Sequence, residues 1–443
     1  QITLNHPKYF VFGGRHDLVT RPLLGWWTRK MAVQPVVRKA ELLRGGCSEA
    51  EANFLNGRSL MTLASGISHG YGCVLFPEGT SHNNAYMLRF RTGPMRTVLA
   101  ASALAKASNK PMPVIIPIGL HFRTREFFRT DIWVEFGDPL QVQQDDVPDS
   151  LVEAIASGTW SEPPADSVFN LRDKLRGELV PLTPNTYSWE EYRGLLLLGH
   201  IKGRIEEKPP NTWREEVIMA RQLRNQYSEK LTNLESDNLQ PEQISHPVVT
   251  KSAEAADILH RHGLDGRDVN QNLTEISPPN VGKIPIAMSR VMLFLVLLPI
   301  FLISLLPQIV LGRVLGDSTD EGIDARTSYQ FLAAMLGSII VWPISSAILV
   351  VLLYWQAGTI DESFGWYWTE SFGTSTTELM LACSMMWLLM FPLSVLTGRI
   401  FSLVWDDFTD LRGYSRKQKI PKKEKQKLFE LIAELKQDLS GSP

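Results

Sequence analysis

Three long apolar runs in the rear of the chain constrain its fold more than any other feature. They cover Val291–Leu311, Phe331–Trp355 and Leu379–Val404. Each run approaches or exceeds the roughly 20 residues that an α-helix needs to cross the hydrocarbon of a bilayer. Three such runs within residues 284–405 exceed what the core of a soluble domain requires. The sequence therefore predicts a multi-pass membrane region there.

The charges around these runs predict their orientation. Segment 356–376 has three acidic residues and no Lys or Arg, whereas the tail 406–443 is rich in lysine. The positive-inside rule places the acidic segment outside the cytosol and the basic tail inside, so the second and third runs cross outward and back. The front carries no export signal and is expected to be cytosolic. The first run, broken by Pro299 and Pro307 around Ser304, is then expected to form a re-entrant or interfacial hairpin.

The front of the chain alternates short strands with helices, as an α/β domain does. Strands are expected at Tyr9–Phe12, Gln34–Arg38, Val74–Phe76, Pro113–Leu120 and Ile132–Phe136. The box Ser48-x-x-Glu51 should open one helix, and Ser188-x-x-Glu191 and Thr212-x-x-Glu215 two later ones. The expected domains are an α/β domain at 1–145, a helical extension at 146–280, the membrane region at 284–405 and the basic tail at 406–443.

Composition excludes several classes of function. A net charge of −2 over 443 residues gives no overall attraction to nucleic acid. Three cysteines are too few and too scattered for a disulfide framework or a metal cluster. The sequence therefore predicts neither a nucleic-acid partner nor a metal site.

The stretch Val74–Asn83 organises the front domain. Val74–Phe76 is a short apolar run that predicts a buried strand. Pro77 should end the strand, because it has no N–H to donate, and Gly79 permits backbone angles that other residues resist. The turn would then present three polar side chains, Glu78, Thr80 and Ser81. An ordinary strand-to-loop exit would give the same pattern.

Several strings in this front domain resemble the signature blocks of the PlsC-type glycerolipid acyltransferases. FPEGTS, at Phe76–Ser81, resembles the third block, and Arg38 at a strand end resembles the second. VIIPIGL, at Val114–Leu120 around Pro117, resembles the fourth. The helix opening at Arg21–Gly25 and the proline-broken apolar runs are similar to the fungal type of membrane-bound glycerol-3-phosphate or dihydroxyacetone-phosphate acyltransferases.

The resemblance implies an α/β fold, a mixed sheet flanked by helices, with a helical extension and C-terminal transmembrane helices. It implies acyl transfer from acyl-CoA to the sn-1 hydroxyl of glycerol 3-phosphate or dihydroxyacetone phosphate, at the endoplasmic reticulum, with acyl-CoA as co-substrate and no cofactor or metal. The Arg38 guanidinium would grip the acceptor phosphate. The substrate-binding residues it implies are Arg38, Phe76, Pro77, Glu78, Gly79, Thr80, Ser81 and Pro117.

The family's general base belongs to an H-x4-D block ahead of the first strand, and it is not found here. Neither His6 nor His16 has an aspartate five residues on, and the match at 260–265 comes too late in the chain. Since the chain begins at Gln1 and not at Met, the block is expected upstream, in which case the chain as given lacks turnover. The alternatives are a lysophospholipid acyltransferase and a catalytically inactive lipid-binding or scaffold relative.

Overall fold

The computed structural model describes most of the chain as two compact units. The described residues are 10–20, 22–30, 33–37, 48–80, 82–124, 129–228, 240–278, 281–318, 323–355 and 376–440. The first unit comprises Gln1–His121, Trp133–Leu195 and Val217–Thr250. The second comprises Phe122–Ile132, Leu196–Glu216 and Lys251–Pro443.

The front of the chain is mixed α/β, as predicted. Its helices are α1 (His16–Thr20), α2 (Pro22–Lys30), α3 (Glu49–Ser68) and α4 (Gly93–Ala107). Its strands are β1 (Phe10–Arg15), β2 (Val33–Val36), β3 (Gly72–Val74), β4 (Val114–Ile115), β5 (Ile118–Phe122), β6 (Ile132–Phe136) and β7 (Leu140–Gln141). Among the described residues they form a parallel sheet in the order β2-β1-β3 and two two-stranded sheets, β4-β7 and β5-β6.

Two of the predicted strands differ from the structure. β3 pairs with β1 only as far as Val74, and the chain then turns away, so Phe76 lies outside the sheet with 71% of its surface exposed. The run expected as one buried strand at Pro113–Leu120 is divided into β4 and β5. Pro117 lies between them and cannot donate to a ladder. Val114 and Ile116 are each 48% exposed, so the prediction of a buried strand was wrong here.

The capping boxes hold in two of three places. Ser48 and Glu51 cap α3 reciprocally, as predicted. Thr212 and Glu215 do the same at the start of α8, with the Glu215 amide donating to Thr212 Oγ1 at 3.3 Å. The third box forms in part, because the Glu191 amide donates to Ser188 Oγ at 3.3 Å. Its Glu191 carboxylate accepts instead from the amides of Tyr187 and Ile244, so it ties two segments of chain together.

Helices make up the middle of the chain. They are α5 (Asp149–Ala156), α6 (Ala165–Leu179), α7 (Trp189–Ile205), α8 (Trp213–Tyr227) and α9 (Pro247–Arg261). In the second unit Arg123 forms a two-pronged ion pair with Glu216, at 2.6 and 2.7 Å, and its guanidinium lies 4.4 Å from the ring centroid of Trp213. His200 Nε2 lies 3.3 Å from the same carboxylate. Burial alone would raise the pKa of Glu216, but His200 and Arg123 outweigh it and lower that pKa.

The rear of the chain is helical, and apolar over long stretches. Its elements are α10 (Ile284–Ile300), a π-turn (Phe301–Leu305), α11 (Leu306–Asp317), α12 (Ile323–Trp355), α13 (Thr376–Gln418) and α14 (Lys422–Ser440). Within the described residues, two helical stretches are long and apolar enough to cross a bilayer, Ile284–Asp317 and Cys383–Gln418. A third apolar stretch consists of two helical segments, Tyr329–Met335 and Gly337–Leu352, with a bend of 47° between them.

The hairpin expected in the first apolar run is not formed, because the chain is helical from Ile284 to Asp317. Each proline removes a backbone hydrogen bond from the helix. The π-turn between the two prolines loosens the helix locally, so the chain stays helical without these bonds. Ser304 lies in this turn and donates its hydroxyl to the Ile300 carbonyl at 2.6 Å. The acidic segment that set the predicted orientation lies outside the described residues, so the orientation stays a prediction.

The basic tail is largely helical and partly packed. α13 continues to Gln418, and α14 buries Leu428, Ile432 and Leu435 completely. Lys251 of α9 bonds to two carboxylates of α14, at 2.9 and 3.1 Å. The tail therefore contains an amphipathic helix, α14, that packs through its apolar face. The predicted domain boundaries stay predictions.

Candidate functional site: the Glu78 loop

The polypeptide leaves β3 through a tight turn. The amide of Gly79 donates to the Phe76 carbonyl at 3.2 Å, which closes the turn around Pro77 and Glu78. Gly79 has φ of +66°, in the left-handed region that favours glycine, as the sequence predicted. The Pro77 carbonyl accepts from the Arg91 amide at 2.7 Å. The turn is thus fastened to the segment that leads into α4.

The Glu78 carboxylate is held by two donors. Its Oε1 accepts from the Leu88 amide at 2.6 Å and from His82 Nε2 at 2.9 Å. The side chain is only 20% exposed. Hydrogen bonds to a charged group are the strong ones. The carboxylate therefore binds its own loop together, which makes it a strut of the site.

His82 was not singled out by the sequence analysis, although it lies in the same stretch. Its Nδ1 accepts from the Asn84 amide at 3.1 Å. Since a backbone N–H occupies Nδ1, the network assigns the ring proton to Nε2, which donates to Glu78. Both ring nitrogens are engaged, so His82 orients Glu78 and is not placed to take a proton from a substrate. The only sequence signal was a histidine four residues after the loop glutamate.

Arg176 holds the other side of the loop. It comes from α6, is 6% exposed, and donates to the carbonyls of Leu88 and Met87 at 2.8 and 3.3 Å. Its guanidinium lies 5.3 Å from the ring centroid of Phe90. Burial lowers the pKa of Arg176, and the charge of Glu78 opposes that shift. Leu88 is therefore gripped through its amide by Glu78 and through its carbonyl by Arg176.

The helical extension anchors the exit of the loop. Trp189 Nε1 donates to the Asn83 carbonyl at 2.7 Å. The Thr186 amide donates to the Ala85 carbonyl at 3.2 Å. The segment after Glu78 is thus fixed by the start of α7.

The other predicted site residues are distributed as follows. Arg38 and Ser81 lie outside the described residues. The residue before Arg38, Val37, exchanges both backbone groups with the Asn56 side chain of α3, at 2.8 and 3.1 Å. Pro117 is buried, and its carbonyl accepts from the Gly137 amide at 2.9 Å. Thr80 is exposed at the turn.

A second histidine–carboxylate pair lies at the β5-β6 sheet. His121 Nε2 lies 2.9 Å from Glu135, and Arg221 binds the same carboxylate with both prongs. Burial lowers the pKa of His121, with Glu135 opposing the shift. Burial would raise the pKa of Glu135, but Arg221 and His121 reverse the shift and lower it. The His121 side chain is 2% exposed, which makes this cluster a buried ion network and not a base open to substrate.

The described part of the chain offers few residues for nucleophilic catalysis or metal binding. Burial raises the pKa of Cys73 to about 12, so this thiol is not a ready nucleophile. Within the described ranges, His, Cys, Asp and Glu side chains nowhere gather in a group of three that could hold a metal ion.

Comparison with known families supports the resemblance seen in the sequence. The family described as Acyltransferase matches residues 2–121. This part of the chain is therefore similar to the acyltransferases. The matched residues, called here the acyltransferase domain, include Glu78, His82 and Leu88 as well as the predicted residues Arg38 and Pro117. The recognition made from FPEGTS is therefore confirmed at the level of the family.

One curated relative extends the comparison. Glycerol-3-phosphate O-acyltransferase 2 of Saccharomyces cerevisiae is 28% identical over 153 residues. The match covers 34% of this chain and 19% of the yeast protein. No solved structure matches the chain.

Proposed function

We propose that this protein transfers an acyl group from acyl-CoA to the sn-1 hydroxyl of glycerol 3-phosphate or dihydroxyacetone phosphate, in phosphatidic acid and glycerolipid synthesis. The observation that carries the proposal is the FPEGTS turn of the acyltransferase domain, with its glutamate locked in place. The name of the yeast relative supports glycerol 3-phosphate as acceptor. The apolar helices support a bilayer location, for which we propose the endoplasmic reticulum, with the domain and tail cytosolic.

Arg38 is the proposed phosphate ligand. A guanidinium fork matches two phosphate oxygens better than an ammonium group does. The neighbouring Val37 is held to α3 by two hydrogen bonds from Asn56, so the strand end has a fixed support. Glu78 would serve this acceptor site by keeping its wall rigid.

Phe76 and Pro117 are the proposed apolar contacts. Phe76 projects from the turn with 71% of its surface exposed, which leaves its ring open to an apolar ligand. An acyl chain or the thioester end of the donor would cover that ring. Pro117 is already buried, which suits a wall residue.

The proposed chemistry is a direct transfer. The acceptor oxygen attacks the thioester carbonyl, the C–S bond breaks and the CoA thiolate leaves. A base removes the hydroxyl proton, a contribution typically worth about 10²–10⁴-fold. His82 and His121 are engaged elsewhere, so neither is assigned this role.

Two alternatives remain attached to specific observations. A lysophospholipid acceptor would suit the exposed Phe76 and the membrane helices. An inactive lipid-binding relative would fit the engagement of two histidines. His82 is hydrogen-bonded to Glu78 and to a backbone amide, and His121 is paired with Glu135.

One assay separates these functions. The purified full-length gene product, with any residues encoded ahead of Gln1, is placed in lipid nanodiscs and given radiolabelled acyl-CoA with glycerol 3-phosphate, dihydroxyacetone phosphate or lysophosphatidate. We expect transfer to one of the first two, and Arg38→Ala should raise the acceptor KM about 10–100-fold, the range for a lost charged hydrogen bond. Lys39→Ala, a neighbouring cation, is the matched control and should change KM little. Transfer to lysophosphatidate alone favours the first alternative, and acceptor binding without transfer favours the second.

A further inference from the structure

The end of α13 has two unlike faces just beyond the third apolar run. With about 3.6 residues per turn, Asp406, Asp407 and Asp410 share one side of the helix. Phe408, 51% exposed, lies on the opposite side, and Leu411, 66% exposed, lies between the two sides, one turn beyond Asp407. Carboxylates this close to hydrocarbon are expensive unless each is paired. Exposed apolar side chains on a helix that continues a candidate membrane span point to lipid.

Each of these aspartates has a basic partner in the same unit. Arg129 binds Asp406 with two prongs, both at 2.7 Å. Arg290 of α10 binds Asp407 at 2.9 and 3.1 Å, and Lys283 lies 3.5 Å from Asp410. We call these six residues the interfacial collar: Lys283, Arg290, Arg129, Asp406, Asp407 and Asp410.

The collar continues the packing of two membrane helices. One turn and more below it, Phe294 of α10 packs against Phe401 of α13, with ring centroids 5.8 Å apart. At the collar itself α10 exposes Ile286 and Met288, 54% and 64% of their surfaces. Both helices therefore expose apolar side chains at the level where their charges pair.

Arg129 brings a third segment to this level. It lies between β5 and β6, and its φ of +60° is uncommon for a residue other than glycine. Such a conformation persists where surrounding contacts determine it. The two-pronged bond to Asp406 is one such contact of Arg129.

We propose that the interfacial collar lies in the lipid headgroup layer, so that the chain around Arg129 is held against the bilayer surface. From Val404, where the apolar run ends, to Leu411 the helix rises about 10 Å at 1.5 Å per residue. That rise covers one headgroup layer of about 5–8 Å and ends just beyond it. The surface thus takes a bilayer as its partner, independently of which reaction the protein performs.

Spin-label accessibility in nanodiscs tests the depth. Cys47, Cys73 and Cys383 are replaced by serine, and single cysteines are placed at Thr130 and Leu411. Val395, 60% exposed within the apolar run, and the exposed Lys425 of α14 give lipid and water references. We expect oxygen and nickel-chelate accessibilities between the two references at both test positions. Values equal to those at Lys425, or a Leu411 label shielded from both reagents and dipole-coupled to a second copy, would overturn the proposal.

A second measurement tests the role of the ion pair. Asp406→Asn should raise nickel-chelate access at the Thr130 label at least threefold and leave the Leu411 label unchanged. Asp410→Asn is the matched control, because its partner is not on the Arg129 segment, and it should change neither label. If Asp406→Asn does not fold, Arg129→Gln makes the same test from the other side. An unchanged Thr130 label in a folded variant would show that the pair does not hold the segment.

Discussion

The Glu78 strut gives a prediction that can be worked from the structure. In Glu78→Ala the Leu88 amide and His82 Nε2 both lose their acceptor, at 2.6 and 2.9 Å. Hydrogen bonds to charged groups contribute about 1.5–3 kcal/mol each. With the carboxylate 20% exposed, the lower end applies, so the loop should open about 3 kcal/mol more easily. At tenfold per 1.4 kcal/mol, the equilibrium constant for opening of the loop should therefore rise about 10²-fold.

Hydrogen exchange of the Leu88 amide is the direct assay. Exchange should be about 10²-fold faster in Glu78→Ala and about tenfold faster in Glu78→Gln, which keeps an acceptor oxygen but loses the charge. Peptides from α9 should be unchanged. The reasoning is refuted if Leu88 exchanges at the wild-type rate in Glu78→Ala. It is also refuted if Gln impairs acyl transfer as severely as Ala, because that pattern belongs to a proton-transferring group.

Four further substitutions, of which Glu206→Ala is a control, test other parts of the structure by thermal unfolding. Burial lowers the pKa of His121 in the folded protein, although Glu135 opposes the shift. As pH falls below about 6.5 the unfolded chain therefore binds a proton at His121 before the folded protein does, and the free energy of unfolding should decrease. His121→Asn should flatten this decrease between about pH 7.5 and 5.5. Glu216→Ala removes two hydrogen bonds from the partly buried Arg123, which keeps its bond to Asp131 at 2.8 Å, and should destabilise by about 1.5–3 kcal/mol. Glu206→Ala, in an exposed 3.8 Å pair, should cost under about 1 kcal/mol. Gly79→Ala should cost about 1–2 kcal/mol because its φ is positive.

Each of these predictions has an outcome that contradicts it. An unaltered pH slope in His121→Asn would mean that the buried ring does not govern acid sensitivity. Equal losses for the two glutamate variants would mean that burial of the Glu216 pair contributes nothing. Gly93→Ala has open space around the added methyl group, so a loss there as large as at Gly79 would remove the backbone explanation.

Local signals in the sequence predicted the elements well. The capping box at Ser48 fixed the start of α3, because the Ser48 hydroxyl and the Glu51 carboxylate each accept from one otherwise free amide. The turn at Gly79 followed from the same local logic, since the conformation depends on the residue itself. Signals of this kind need no knowledge of distant residues.

Features that depend on distant residues were not predicted. Arg176 bonds to Leu88, 88 positions earlier. Nothing in the sequence of α6 distinguishes this buried arginine from charged residues on the surface. The hairpin expected in the first apolar run came from counting crossings, whereas Pro299 and Pro307 are accommodated by a local π-turn. The role of His82 depended on an amide two residues later, visible only in three dimensions.

The most direct test of the proposed function is to identify the product that the purified full-length gene product, with any residues encoded ahead of Gln1, makes in nanodiscs from isotope-labelled glycerol 3-phosphate and acyl-CoA. We expect labelled 1-acyl-glycerol 3-phosphate, formed at a rate that falls about 10–100-fold in Arg38→Ala at low acceptor concentration and stays near wild type in Lys39→Ala. Absence of that product, or its formation at equal rates in the wild type and Arg38→Ala, would contradict the proposed function of the acyltransferase domain.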